Sequence, residues 1–304
     1  MSAVASVSLA HPLGEVAGAL GRSFEEFGFA IVRDHGVPQA LIARAEGEAR
    51  ALFALPEPAK LAYNIAGGGG ARGYTPFGVE TARGAPARDL KEFWHVGREL
   101  PPGDPLEAFM APNVWPREVP RFRDTFEALY AALEGAGVRI LAAIALHLGL
   151  PEDYFDATVA KGNSVLRLLH YPPLAKAAEG EIRAAAHEDI NTVTLLLGAE
   201  EAGLELLSKD GRWLPVSPPP GALAVNIGDM LQRLTAGRMR SSTHRVVNPT
   251  GPAARRARYS MPFFLHFRPD FVIDSEGELG VARKEPPITA HDYLMQRLRE
   301  IKLA

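Results

Sequence analysis

The 304-residue chain contains no cysteine. Disulfides, thiolate metal sites and cysteine nucleophiles are thereby excluded, and any metal must be held by His, Asp or Glu. An excess of positive charge is missing too: 33 Lys and Arg stand against 36 Asp and Glu, for a formal net charge of −3. That balance supplies no broad positive field, so neither nucleic acid nor a membrane surface is an expected partner. Long apolar runs are scarce. The most apolar stretch, ILAAIALHLGL from Ile140, is too short to span a bilayer and carries His147. The opening MSAVASVSLAHPLG lacks the basic start and long apolar stretch of a secretory signal. The expected location is cytoplasmic.

What is present is enough apolar residue, 47%, to bury a substantial core in one large domain or two small ones. The first third reads as helical with one early strand. EVAGALGRSFEEF ends at Gly28, FAIV follows, and the turn DHGVP leads through Pro38 into a second helix that reaches Phe53 and is closed by Pro56. Between Gly67 and Pro105 the chain is rich in Gly and Pro. GGGGARGY lacks the Lys and Ser or Thr of a phosphate-binding loop, so it reads as a flexible loop, and residues 67–90 are expected to shape substrate choice. Phe122, Phe126, Leu129, Leu133, Gly137, Ile140, Ile144 and Leu148 recur at three- and four-residue steps, one buried face of a long supporting helix between Arg117 and Leu150. From Ser164 the texture changes to short strand-like segments, SVLRLLHY, NTVTLLLG, LELLS, ALAVNIG, STHRVV and ARYSMPFFLHF, separated by turns such as KDGR and SPPPG. Strands at this spacing predict a sandwich, jelly roll or barrel.

In HEDINTVTLLLG, His187 and Asp189 leave an extended chain on the same side while Glu188 points away. Turns before strands also favour such polar residues, so the pair alone does not define a metal site. His244 lies inside the strand-like SSTHRVVNP, where a satisfied structural histidine is the ordinary alternative. Two histidines and one carboxylate on one face of a metal leave three neighbouring positions open, the arrangement of non-haem Fe(II) oxygen chemistry; Zn(II) takes such ligands as well. ARYSMPFF puts Arg258 and Ser260 on one side of a strand, Tyr259 and Met261 on the other. A guanidinium fork beside a hydroxyl suits a dicarboxylate that chelates the metal with its other end. A zinc hydrolase has no need of that anchor.

On these motifs the sequence resembles, over nearly its whole length, the isopenicillin N synthase-like branch of the 2-oxoglutarate and Fe(II)-dependent oxygenases. FGFAIVRDHGVP, LPEPAKLAY, RGYTPFG, DLKEFWHVG, LHYPP, HEDINTVTLLLG, VNIGDMLQRLTAGRMRSSTHRVVNP and RYSMPFF follow in the family's order. The resemblance implies an α+β fold with an all-β catalytic core, a double-stranded β-helix or jelly roll flanked by helices. It divides the chain into an amino-terminal helical and loop region, 1–110, and a jelly-roll domain with its supporting helix, 111–304. It implies that His187, Asp189 and His244 are the iron ligands, and that Arg258, Ser260 and Tyr171 bind 2-oxoglutarate. Phe264, His266 and Trp94 would line the pocket for a small-molecule substrate. The implied cofactor is Fe(II), with 2-oxoglutarate and O2 as co-substrates. The implied reaction is oxidative decarboxylation to succinate and CO2 coupled to hydroxylation or desaturation.

Some positions depart from the family pattern. Leu169 stands where asparagine is frequent, and TGPAARRA lengthens the approach to Arg258, bringing Arg255 and Arg256 as competing anchors. Arg258 is preferred because it alone precedes Tyr-Ser and shares a face with Ser260. Asn226 and Asp229 in NIGD are explained by a strand-ending turn, and His35 and His95 by capping or loop packing. Three rival readings remain: an Fe(II) oxidase of the same fold that does not use 2-oxoglutarate, a non-catalytic binding protein on the same scaffold, and a zinc hydrolase. The sequence specifies neither the primary substrate nor the oligomeric state.

Overall fold

The computed structural model describes residues 4–65, 70–80, 88–173, 182–198 and 203–300. The expected loop of residues 67–90 lies partly outside the described residues. In chain order the strands of the two main sheets are β1 (Ser6–Ser8), β2 (Phe29–Arg33), β3 (Gly73–Thr75), β4 (Glu92–Gly97), β5 (Val165–Tyr171), β6 (Ala184–His187), β7 (Val193–Leu197), β8 (Leu204–Leu207), β9 (Trp213–Pro215), β10 (Leu223–Ile227), β11 (His244–Val246) and β12 (Arg258–Leu265). Among the described residues they form an eight-stranded sheet, in the order β1, β2, β10, β7, β12, β5, β4, β3, and a four-stranded sheet, in the order β6, β11, β8, β9. Neighbours are antiparallel except for β1 and β2. From β5 onward the chain passes back and forth between the two sheets, with only β8 and β9 consecutive in one of them, which is the jelly-roll pattern.

Six helices matter for the argument: α1 (Leu13–Phe27), α2 (Gln39–Phe53), α3 (Glu57–Leu61), α4 (Phe122–Leu148), α5 (Asp156–Val159) and α6 (Asp229–Leu234). α1 stops where the sequence predicts. Gly28 takes φ 68° and gives its N–H to Phe24 O, a left-handed cap that glycine adopts without steric cost. A Cβ there would also come within 2.4 Å of both Arg240 O and Ser242 Oγ, so the bare backbone lets β2 pass beside the segment leading into β11.

The apolar stripe of α4 is buried as its periodicity predicts, with Phe122, Phe126, Leu129, Leu133, Ile140 and Ile144 inaccessible. The helix backs the outer face of the large sheet, where Tyr130 meets Phe263 edge-on at 4.9 Å. Gly137 makes room for Leu265, whose Cδ2 lies 2.9 Å from where a Cβ would stand. By length and composition this 27-residue helix could cross a membrane. Here it packs against α1, α2 and the sheet, so its apolarity serves the core.

One expectation changes. The amino-terminal third carries four strands, not one, and RGYTPFG and DLKEFWHVG supply β3 and β4. β4 is buried along its whole length, and a strand covered on both faces loses the alternation that marks strands in a sequence. Since β1 to β4 extend the same sheet as β5, β7, β10 and β12, residues 1–110 share the jelly roll's larger sheet instead of only packing on it.

The α1–α4 contact is close. A Cβ on Gly21 would lie 2.0 Å from Cγ of His147, whose Nε2 pairs with Glu25 Oε1 at 2.9 Å. Gly21→Ala is expected to destabilise the fold by about 1–3 kcal/mol through overpacking, read as a lower urea midpoint at unchanged slope.

Candidate functional site

Residues in direct register share a face of a sheet, so the strand pairings map the inner wall of the large sheet row by row. One row holds Tyr171 and Arg258, and the next holds Phe93, Leu169 and Ser260. His95 and Arg167 follow. The last row runs Gly97, Val165, Phe264, Thr194, Asn226 and Phe29 across six strands. The small sheet faces this wall, with His187 at the end of β6 in register with His244 at the start of β11.

Asp189 stands between the two imidazoles. Its Oδ1 is 3.7 Å from His187 Nε2 and 3.8 Å from His244 Nε2, and candidate ligand atoms of the three residues all lie within 4.8 Å of one another. With ligand bonds of about 2.0–2.2 Å, three donors around a single ion stand roughly this far apart. The orientation of each ligand supports the same use. His187 gives its Nδ1–H to Ala185 O at 2.7 Å, and His244 gives its own to Ser242 O at 3.1 Å. A carbonyl only accepts, so each ring presents a bare Nε2 to the centre. Burial, with His244 beside it, depresses His187 to about 4, so its ring is neutral as a metal ligand requires.

The carboxylate is held from the opposite sheet. Asp189 Oδ2 accepts from Thr194 Oγ1 at 2.5 Å and from Asn226 Nδ2 at 2.8 Å, which leaves Oδ1 for the centre. Burial works against the charge on Asp189, but the two imidazoles and these two donors outweigh it and hold the carboxyl below its ordinary value. The backbone carbonyl of Asp189 accepts from the N–H of Asp229, the first residue of α6. Thus Asn226 and Asp229, read from sequence as parts of a turn, brace the metal ligand. Thr194 was missed altogether; its signal is a polar residue inside a strand buried on both faces.

Farther along the wall, Arg258 is 1% exposed and its guanidinium lies 5.2 Å over the Tyr171 ring. Its Nε and Nη2 are enclosed and have no acceptor among the described residues. Leaving charged N–H groups buried and unbonded is costly, so this position is suited to an incoming carboxylate. Ser260 is the next inward residue on β12 and Leu169 faces it, so the departure noted in the sequence leaves an apolar contact there. Two further cations were not foreseen. Arg183, also 1% exposed, lies 5.6 Å from the same tyrosine ring. Lys91 pairs with Glu80 at 2.6 Å and Asp89 at 2.7 Å, and Asp89 in turn accepts from the N–H of Ala185 on β6.

The pocket residues divide. Phe264 lies on the inner row beside Thr194, and His266 is buried close enough to Asp189 to feel its charge, although burial dominates and depresses the ring to about 4. Trp94 lies on the other face. It pairs with Leu168 and packs against Phe122 at 5.5 Å and Tyr63 at 5.4 Å, so it belongs to the core under α4. The alternation of β4 turns Phe93 and His95 inward in its place. His35 packs a loop as expected, through Gly221 O and the N–H of Val37. His95 does more: it accepts from Arg167 Nε at 2.6 Å within the inner wall. Arg255 and Arg256 are exposed beside a short turn, away from the anchor role.

The fold and site together define a class: jelly-roll proteins with a two-histidine, one-carboxylate cluster suited to a metal and a buried arginine on the adjoining wall. Comparison with known proteins narrows it. Residues 162–267 match the 2OG-Fe(II) oxygenase superfamily, and residues 5–118 match the family described as non-haem dioxygenase in morphine synthesis N-terminal. A 2-oxoglutarate-Fe(II) type oxidoreductase of Emericella nidulans is 35% identical over 285 residues, covering 90% of this chain and 80% of its own. The crystal structure of a 2OG-Fe(II) oxygenase family protein from Caulobacter crescentus is similar with a TM-score of 0.91 at 53% identity, over 99% of this chain and 100% of that one. A full-length protein of Neurospora crassa, solved in complex with alpha-KG and thymine, gives a TM-score of 0.86 at 27% identity, over 97% and 96% of the two chains. The chain belongs to the 2-oxoglutarate and Fe(II)-dependent oxygenase superfamily, in its isopenicillin N synthase-like branch. It is a non-haem dioxygenase that uses Fe(II), 2-oxoglutarate and O2.

The bracing of Asp189 is testable. Thr194→Val and Asn226→Leu, each removing one hydrogen bond to Oδ2, are expected to weaken Fe(II) binding by about 10–100-fold, the usual effect of losing a partner of a metal ligand. Anaerobic Fe(II) titration of the metal-free protein measures it.

Proposed function

We propose that His187, Asp189 and His244 hold the iron, and that Arg258, with Ser260 and Tyr171, receives the distal carboxylate of 2-oxoglutarate. The observation that carries this reading is the pairing of a metal-ready triad with a buried guanidinium lacking an acceptor on the facing wall. An oxidase of the same fold can keep the Arg-X-Ser pair, so the response to added 2-oxoglutarate is what separates the two readings.

Bound Fe(II) supplies the redox chemistry that couples decarboxylation of 2-oxoglutarate to oxidation of a C–H bond. The protein's part is geometry. The three residues would hold the metal from one side, leaving room for the co-substrate and O2. The two backbone carbonyls fix the Nδ1–H of each imidazole and so turn each Nε2 toward the centre, and Thr194 and Asn226 reserve one oxygen of Asp189 for the metal. Tyr171 gives Arg258 an aromatic face to lie on, so the fork is positioned before the dicarboxylate arrives. Phe264 and the aliphatic inner residues exclude water from the reacting carbon.

The substrate on this reading is a small organic molecule that is hydroxylated or desaturated. The thymine bound to the Neurospora crassa protein supports a small substrate. A relative from Petromyces alliaceus named as a proline hydroxylase, 33% identical over 289 residues, supports hydroxylation.

The test is an anaerobic titration of metal-free protein with Fe(II) and then 2-oxoglutarate, following the visible charge-transfer band of the chelate. The band is expected in the wild type and absent in Asp189→Ala. Arg258→Ala is expected to need at least about tenfold more 2-oxoglutarate, the cost of losing a charge-assisted bidentate contact. Iron binding with no band in the wild type would transfer the assignment to the oxidase.

A further inference from the structure

On the β4 and β5 side of the pocket lies a charge that the iron and co-substrate assignments leave unused. Arg72 directly precedes β3 and is 4% exposed. Its Nη1 donates to Ala71 O at 2.7 Å, whereas Nε and Nη2 are enclosed and have no acceptor among the described residues. The guanidinium fills the space of a missing side chain: a Cβ on Gly97 would fall 2.0 Å from Arg72 Cζ and 2.1 Å from Nη2. Gly97 alternates with Phe93 and His95 along β4, so this cradle opens on the inner wall, in the row that continues through Val165 to Phe264 and Thr194.

The neighbouring charges do not neutralise it. Arg167 donates through Nε to His95 and through Nη1 to Glu80 Oε2 at 3.2 Å, and its guanidinium lies 4.3 Å from the Phe93 ring and 5.4 Å from Phe264. Glu80 also takes Lys91, which Asp89 shares. His95 gives its Nδ1–H to Gly70 O and accepts from Arg167 through its other nitrogen, so its ring is neutral. Among the described residues, Arg72, Arg167 and Lys91 therefore meet only Glu80 and Asp89 as largely buried carboxylates. Glu99, the other carboxylate near Arg72, is exposed and accepts from Asn113 at 2.8 Å. Tyr130, also near, is a neutral phenol that donates to Ser164 O. A buried guanidinium with two unbonded N–H groups and an unbalanced charge calls for an anion from outside the chain.

We propose that Arg72, seated in the Gly97 cradle, receives the acid group of the primary substrate, so that the enzyme oxidises a small organic carboxylate. The inference rests on the iron and co-substrate assignments above. Thr194, which holds Asp189, is separated from Gly97 along their shared row by Phe264 and Val165. At a strand spacing of about 4.8 Å, the acid group and the oxidised carbon stand on the order of 10 Å apart. Carbons next to the acid group are then out of reach, and Phe264 contacts the intervening part of the substrate.

The experiment uses the anaerobic Fe(II)–2-oxoglutarate enzyme and a panel of linear and aromatic carboxylic acids of six to twelve carbons, each beside its primary amide. Perturbation of the chelate band reports binding, and substrate-dependent succinate formation in air reports turnover. Acids are expected to perturb the band at concentrations at least tenfold below their amides. Arg72→Gln should abolish that preference, and Arg72→Lys, which keeps the charge without the fork, should retain part of it. Gly97→Ala, which drives the guanidinium from its cradle but leaves Arg72 in the chain, should repeat the loss. The chelate band before any acid is added shows whether each variant has kept its iron site, so a misfolded variant is recognised and the remaining two decide. The proposal is overturned if no acid perturbs the wild-type band, if acids and amides act alike, or if the preference survives in Arg72→Gln. A wild type that forms no chelate band overturns the co-substrate assignment instead, which keeps the two failures apart.

Discussion

Asp189 is the point on which the two sheets close. Its ligand oxygen faces imidazoles carried by the small sheet, while its second oxygen is bound by Thr194 and Asn226 of the large one. No element supplies the whole arrangement, so the metal centre exists only when β6 and β11 lie over β7 and β10. The carboxylate is buried, and an unpaired buried charge is strongly destabilising. The donors on Oδ2 make that burial tolerable before a metal arrives, and the metal's own charge would then dominate the site.

The same wall shows why buried charge is abundant in a chain with so small a net charge. Carboxylates gather the cations where the sheet needs bracing. Glu92 accepts from Lys60 at 2.7 Å and from His170 at 2.6 Å, and also from Tyr74, joining α3, β3 and β5 behind the pocket. Inside the pocket, Glu80 and Asp89 bind Lys91 and Arg167. Arg258 and Arg72 stand apart from this pattern. Each is buried with enclosed N–H groups that meet no acceptor among the described residues, and on the two proposals above a bound molecule would complete those hydrogen bonds.

Much of this was legible in the residues. The α4 stripe, the Gly28 stop and the strand-rich second half followed from periodicity and turn chemistry, and the motifs in register named the three residues, His187, Asp189 and His244, that the structure brings together. β3 and β4 were not legible, because a strand covered on both faces carries no alternation. Trp94 was misplaced for the same reason: without knowing that residues 92–97 form a strand, the face of its ring could not be inferred, and a one-residue shift in a strand exchanges core for pocket. Thr194 and Asn226 were overlooked or undervalued because nothing in their local sequence says that Asp189 will come to lie over them.

The sequence by itself determined the chemistry available: no thiolates, a His-X-Asp with a distant His, an Arg-X-Ser on a strand, and enough apolar residue to enclose them. Those are properties of residue type and short spacing, and they survive any arrangement of the rest. Only the tertiary structure decided which polar groups are satisfied and which await a ligand. Satisfaction depends on partners far apart in the chain, such as Asn226 on Asp189 or Gly97 beneath Arg72, and these pairs come into being when the strands take their register.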